Sequence, residues 1–202
     1  MFTKIVLVAA CYLLGSLIFS VIVGKLICKV DIRNYGSGNA GATNTLRVIG
    51  KGPALLVFLL DVAKGALGVL LAKWLFPDDA WVAVLCGISV IVGHNWPVWF
   101  RFRGGKGIAS TVGMLLTLAP AAALISGAVA IITIVLTRYV SLGSLLFTGV
   151  FPLAIILLGY YDNTLVWGSL IIMALAWFRH RTNIVKLVKG QENKLGVRSG
   201  TK

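Results

Sequence analysis

Acidic side chains are scarce in this chain: six Asp and Glu among 202 residues, against 19 Lys and Arg. Only Asp31, Asp61 and Glu192 fall on or near the segments that also carry most of the basic residues. That census argues against the clustered carboxylates a hard divalent cation needs, so neither a metal nor a cofactor is expected. Cysteine is equally sparse, and Cys11, Cys28 and Cys86 show no metal or redox spacing. Cys11 and Cys86 lie in apolar runs and read as packing residues. Charged residues of both signs reach only 12%, too few for a soluble surface. No linker, low-complexity segment or internal repeat is apparent. The missing repeat weighs against a transporter built from inverted halves.

Apolar sequence is abundant. Hydrophobic residues make up 58% of the chain and the mean hydropathy is +0.94, the composition of a membrane protein. A helix needs roughly 17–25 apolar residues to cross a bilayer. Seven runs qualify or come close: Ile5–Gly24, Pro53–Leu75, Ala80–Val92, Ile108–Ala119, Ala121–Leu136, Leu142–Tyr160 and Thr164–Phe178. They lack the alternation of a transmembrane β-barrel. The first is too long for a signal peptide and no small-x-small site closes it, so it reads as a retained helix. The expected fold is an all-α polytopic membrane protein of seven helices, with residues 1–202 forming a single domain.

The formal charge of +13 would suggest nucleic acid on a soluble domain. Here the positive-inside rule explains it, and no nucleic-acid partner is expected. Lys25, Lys29, Arg33, Arg47 and Lys51 share one loop, and Arg101, Arg103 and Lys106 the next on the same side. Arg138 follows the fifth run, and Arg179, Arg181, Lys186, Lys189, Lys194, Arg198 and Lys202 follow the last. The alternate connections hold little: Lys73 with Asp78 and Asp79, then Asp162. This parity puts the N-terminus outside, the C-terminus in the cytoplasm and the polar loops on the cytoplasmic side. It also requires a break near Pro120, because one long helix would set Arg138 opposite Arg101–Lys106.

Three polar islands interrupt the apolar chain on that side. The first is Gly36-Ser37-Gly38-Asn39-Ala40-Gly41-Ala42-Thr43-Asn44. It happens to match G-x-G-x-x-G, but no βαβ pattern surrounds it. Its glycines expose successive N–H groups that can cradle an anion, with Ser37, Asn39, Thr43, Asn44 and Arg47 beside them. A tight interfacial turn satisfied by its own Asn and Ser remains open. The second island runs from Gly93-His94 to Gly104-Gly105-Lys106-Gly107, where a glycine turn enters a helix N-terminus, an anion site to which Lys106 adds a full charge. It is no Walker A loop: position 100 is Phe and Gly107 stands where Ser or Thr is required. Trp96, Trp99, Phe100 and Phe102 read as interface aromatics. His94 reads either as a general base or, preferably, as a group bonding backbone where its helix stops. The third island is Arg179-His180-Arg181-Thr182-Asn183, which reads as a simple basic stop-transfer cluster or, if the helix continues, sets His180 and Asn183 on one face. Asp61 and Lys64 lie inside the second run, roughly 12 Å from its start at 1.5 Å per residue. Charges there must pair or face a polar cavity. A structural ion pair is favoured over direct contact with a substrate.

Taken together, the islands resemble the acyl-phosphate:glycerol-3-phosphate acyltransferases of the bacterial PlsY type. The matching segments are Gly36–Asn44; Gly93-His94 with Pro97 and Phe102–Ala109; and Arg179-His180 with Asn183-Ile184, Leu187, Gly190 and Glu192. Asp61-x-x-Lys64-Gly65 and Ser141-Leu142-Gly143-Ser144 fit as well, while Arg103 stands where many members have lysine. The resemblance implies transfer of a fatty acyl group from a long-chain acyl phosphate to the 1-hydroxyl of glycerol 3-phosphate, the first acylation of phospholipid synthesis. It implies a multi-pass enzyme of the cell inner membrane, among membrane lipids, active as a monomer with its site facing the cytoplasm. By motif position the catalytic set would be His180, Asn183, Lys106 and Ser37. Arg47, Ser144, His94, Gly38, Asn39, Gly41, Thr43, Asn44, Gly104, Gly105 and Gly107 would bind substrate, with Asp61 and Lys64 as a supporting pair. The H-x-x-x-x-D pair of acyl-CoA-dependent enzymes is absent: Trp99 and Val185 stand five residues after the two histidines. The competing reading is a transporter or channel for a small phosphorylated solute. It would need a polar route past outer connections that are short and bare.

Overall fold

The computed structural model describes residues 1–196; Arg198 and Lys202 of the basic tail lie outside the described residues. Those described form ten α-helices and two short 3-10 turns, with no strand among them. They group into two compact units, one within Met1–Thr117 and one from Leu118 on.

The first unit begins with α1 (Phe2–Gly15) and α2 (Phe19–Cys28). A short α3 (Ala42–Val48) precedes the long α4 (Lys51–Leu75). Then come α5 (Ala80–Asn95) and α6 (Ile108–Leu118). Helices α1 and α5 run side by side in the same direction: Lys4 pairs with Asp79 at 2.6 Å, Ser89 donates to the Val8 carbonyl at 2.7 Å and Tyr12 to that of Trp96 at 2.8 Å. Their backbones nearly touch where a Cβ on Gly15 would strike Val90 and one on Gly93 would strike Tyr12. In the same way, Gly65 on α4 and Gly113 on α6 meet the backbones of Ser110 and Val62. Small residues let apolar helices approach this closely where no hydrophobic force drives them together in lipid.

The second unit holds α7 (Pro120–Thr137), α8 (Val140–Leu158), α9 (Asn163–Arg179) and α10 (Arg181–Val188). The break expected near Pro120 is present. α6 stops at Leu118 and Pro120 opens α7, where its missing N–H costs nothing. Leu195 donates its N–H to the Arg138 carbonyl at 2.7 Å, and Arg138 Nε returns a bond to the Leu195 carbonyl at 3.2 Å. The turn after α7 and the segment after α10 therefore lie at the same end of this unit, as the charge pattern requires.

Among the described residues, five stretches are long and apolar enough to cross a membrane: Phe2–Cys28, Lys51–Leu75, Ala80–Phe100, Pro120–Thr137 and Val140–Leu158. Ile108–Leu118 and Asn163–Arg179 are apolar but shorter. The first stretch departs from the expected unbroken Ile5–Gly24 helix. Its α-helix stops at Gly15, and Ile18 adopts an extended backbone before α2 begins. A break inside an apolar span leaves carbonyls that no water can satisfy. Lys64 supplies the missing donors: its ammonium lies 3.1 Å from the Gly15 carbonyl and 2.7 Å from that of Leu17.

Candidate functional site

The loop between α2 and α3 is built on its own side chains. Ile32 and Ala40 anchor it from below, fully buried with Ile18 and Val21 and packed by Val48, Ile49 and Phe100. Gly36 and Gly38 take left-handed φ values of 60° and 71°, and a Cβ on Gly36 would strike the Asn44 carboxamide. Asn44 itself is only 1% exposed. Its Oδ1 accepts from Ser37 N at 2.9 Å and Ser37 Oγ at 3.1 Å, while Nδ2 donates to the carbonyls of Ile32 and Tyr35, each at 3.0 Å. Those four bonds use the amide's two donors and both its acceptor lone pairs. Asn44, expected among the substrate-binding residues, is thus the organiser of the loop that presents exposed Ser37 and Gly38. Asn39, Gly41, Thr43 and Arg47 are half-buried around it, and Gly41 caps α3.

The second island is pinned against the first. Arg33 grips Asp31 with Nε at 2.9 Å and Nη2 at 2.7 Å, and its Nη1 reaches the carbonyls of Phe100 at 3.0 Å and Arg103 at 3.2 Å. The hydrogen bond from Arg33 holds the Asp31 carboxyl below the usual carboxylate range, against a smaller opposing effect of burial. Gly105 N–H donates to the His94 carbonyl at 3.0 Å. A Cβ on Gly105 would collide with both His94 Nε2 and the Ala40 carbonyl, and one on Gly104 with the His94 carbonyl. Only glycine fits this seam between the two loops. Gly107, at φ 79°, turns the chain into α6, where Thr111 N donates to its carbonyl at 2.8 Å. Lys106 is half-buried between those glycines.

Beneath the glycine loop lies a buried polar cluster. Lys64 Nζ is 2.8 Å from Asp61 Oδ1 and 3.0 Å from His94 Nδ1, and that nitrogen is 3.4 Å from Asp61 Oδ1. All three residues are at most 3% exposed. The expected structural ion pair is therefore present. His94, read either as a general base or as a group bonding backbone at its helix end and placed by motif among the substrate-binding residues, joins the pair through its ring. Asn95 follows it, fully buried; among the described residues neither of its amide atoms has a hydrogen-bond partner, and its Oδ1 faces Gly107.

In the second unit, His180 is the hinge between α9 and α10, with φ −99° and ψ 7°. Its N–H still bonds the Ala176 carbonyl at 3.0 Å and its carbonyl accepts from Ile184 at 2.9 Å, so the turn is kinked, not lost. Its Nδ1 lies 2.8 Å from the Ala176 carbonyl. A carbonyl can only accept, so Nδ1 carries the hydrogen and Nε2 of the neutral ring is an acceptor. Asn183 Nδ2 donates to Glu192 Oε1 at 2.9 Å. Ser144, 7% exposed, donates to the Val140 carbonyl at 2.8 Å, one turn back on α8. Trp177 ties α9 to α8 next to it, donating to the Leu145 carbonyl at 3.3 Å.

Two contributors were not singled out in the sequence. Arg33 counted only as a basic loop residue, and its partners lie 67 and 70 positions away. Asn95 sits between the noticed His94 and the aromatic Trp96, with no spacing to mark it. Ser37 and the glycines lie in the loops that their motifs mark in the sequence.

Comparison with known proteins bears on the same residues. The family model described as glycerol-3-phosphate acyltransferase matches residues 5–190. A glycerol-3-phosphate acyltransferase of Halalkalibacterium halodurans is 52% identical over 199 residues, covering 96% of this chain and 97% of the relative. One from Prochlorococcus marinus is 42% identical, covering 95% and 98%. Among solved structures, the crystal structure of PlsY (YgiH), an integral membrane glycerol 3-phosphate acyltransferase in its glycerol 3-phosphate form, is similar with a TM-score of 0.90 at 40% identity, covering 96% of both chains. Its lysophosphatidic acid form gives 0.88 at 39% identity. A match across nearly the whole length, spanning all three islands, means that the chain belongs to the glycerol-3-phosphate acyltransferase family.

Proposed function

We propose that the chain transfers a fatty acyl group from a long-chain acyl phosphate to the 1-hydroxyl of glycerol 3-phosphate, releasing 1-acylglycerol 3-phosphate and inorganic phosphate. The observation that carries this reading is the seam between the first two islands. Two glycine-rich, basic loops are braced against each other by Arg33 and Gly105, with Ser37, Arg47 and Lys106 among their residues. Both substrates carry phosphate, and such loops are suited to hold it.

An acyl phosphate is a mixed anhydride, already activated. The 1-hydroxyl oxygen attacks the acyl carbon, the carbon–oxygen bond to phosphate breaks, and the electron pair leaves with the phosphate. No covalent enzyme intermediate is required, so the protein's work is positioning and charge stabilisation. By motif position, Ser37, Arg47, Lys106, Ser144, His180 and Asn183 hold the phosphate and glycerol groups, and the Gly38–Asn44 and Gly104–Gly107 backbones line the other phosphate pocket. The hydroxyl proton passes either to a phosphate oxygen of the substrate or to His180 Nε2, an acceptor in the tautomer set by Ala176. His180→Gln separates these routes: an obligatory base predicts lost turnover with substrate bound, and positioning predicts mainly a raised KM for glycerol 3-phosphate.

The enzyme acts as a monomer and a single functional domain in the cell inner membrane, crossing it seven times with its C-terminus and polar loops in the cytoplasm. The basic loops and bare alternate connections support that orientation. The test is purified protein given glycerol 3-phosphate and palmitoyl phosphate without added metal. Lysophosphatidate and phosphate in equal amounts are expected. Uptake of glycerol phosphate into vesicles with no lysophosphatidate would sink the reading.

A further inference from the structure

We propose that His94 is a positioning residue, locked in one tautomer by Lys64, that braces the glycine loop carrying Lys106. The chain of contacts starts at the helix break. The Lys64 ammonium has three hydrogens, and its hydrogen bonds run to the Leu17 carbonyl at 2.7 Å, His94 Nδ1 at 3.0 Å and the Gly15 carbonyl at 3.1 Å, with Asp61 Oδ1 beside it as the ion-pair partner at 2.8 Å. An ammonium only donates, so Nδ1 accepts and the hydrogen of the neutral ring sits on Nε2. The opposite tautomer would set hydrogen against hydrogen at 3.0 Å.

That Nε2 lies against Gly105, on the side where the Ala40 carbonyl also lies. From the other side, the His94 carbonyl accepts the Gly105 N–H at 3.0 Å. One residue therefore holds the loop at two points, through its ring and its backbone. The ring is held in turn by a lysine that also closes the break between α1 and α2. At 3% exposure, His94 acts through the loop and not on the substrate. A metal site's outer partners orient its ligands by the same logic.

The kinetic arm rests on the acyl-transfer reading; the exchange arm does not. The two variants divide the ring's functions. His94→Asn keeps an acceptor near Lys64 but has no group reaching Gly105. His94→Gln carries an amide nitrogen out to the position of Nε2. His94→Asn is expected to raise KM for glycerol 3-phosphate on the order of tenfold with kcat changed far less, and His94→Gln to restore most of it. Amide hydrogen exchange of a peptide covering residues 98–107 should quicken in His94→Asn and return in His94→Gln, with the other helices unchanged. Gly105→Ala, which presses on the same contact from the loop side, should repeat the KM rise, and it serves if His94→Asn does not fold. Wild-type KM in His94→Asn and Gly105→Ala overturns the proposal, as does exchange that rises evenly through the protein. If wild-type protein forms no lysophosphatidate, the functional reading fails and exchange alone decides the brace.

Discussion

Asn44 makes four hydrogen bonds from one buried amide, so its loss should be felt far more than that of a surface asparagine. Asn44→Ala strands the Ser37 N–H and two carbonyls, a cost on the order of 2–4 kcal/mol. Thermal unfolding in detergent should show it, with activity falling because Ser37 loses its support. Asn44→Asp keeps the acceptor but not the donors, and should fall between. Arg33 offers a prediction in pH. Asp31 titrates below its ordinary range because Arg33 bonds it. A depressed folded value means the tie contributes above the unfolded pKa of about 3.9 and is lost as pH falls through the folded one. Hydrogen exchange at residues 100–103 should therefore stay slow from neutral pH down to that range and then quicken. Asp31→Asn should bring the faster exchange to neutral pH. Arg33→Lys should do so in part, since an ammonium cannot replace a fork that spans a carboxylate and two carbonyls. The sequence marks these residues as polar and loop-bound. Where their bonds go depends on backbone brought in from distant positions, which no local pattern records.

Among the elements, the broken first span shows where hydropathy stops being informative. Apolar runs and Pro120 place the helices within a few residues. Gly15-Ser16-Leu17-Ile18 is nearly as apolar as its flanks and holds no proline, so nothing local announces a break. Its cause sits on α4, in a lysine read as half of an ion pair. The two roles are separable. If Lys64 only balanced Asp61, replacing both by apolar residues would be close to neutral, as it often is for buried pairs. Because Lys64 also serves the Gly15 and Leu17 carbonyls, an Asp61→Leu/Lys64→Met double variant should stay destabilised. Lys64→Met alone should be worse, by about 3–5 kcal/mol for the stranded carboxylate. Folded yield and unfolding midpoint of the two variants check this, and recovery in the double would refute the clamp.

For the whole molecule, the proposed orientation can be tested with cysteines already present. Cys28 is exposed at the end of α2, beside the basic loop, whereas Cys11 and Cys86 are buried. A membrane-impermeant maleimide should label intact cells poorly and inverted vesicles well, with modification confined to Cys28. Labelling from the outside would reverse the topology. That the basic loops within each unit share an end was legible because basic residues recur at alternate connections, and Arg33 with Phe100 and Arg138 with Leu195 meet accordingly. The motifs were legible because glycine, serine and lysine stand out in an apolar chain. The division between buried and accessible motif residues was not, because Asn44 and His94 carry the same motif signature as Ser37 and Lys106.

The clamp on the first span also bears on how the chain is made. Leu17 emerges from the ribosome 47 residues ahead of the lysine that serves its carbonyl. Until α4 enters the membrane, the first span waits with a backbone it cannot complete. Nascent chains arrested short of Lys64 should hold that span loosely and give it up to extraction, and chains arrested after α4 has cleared the ribosome should hold it firmly.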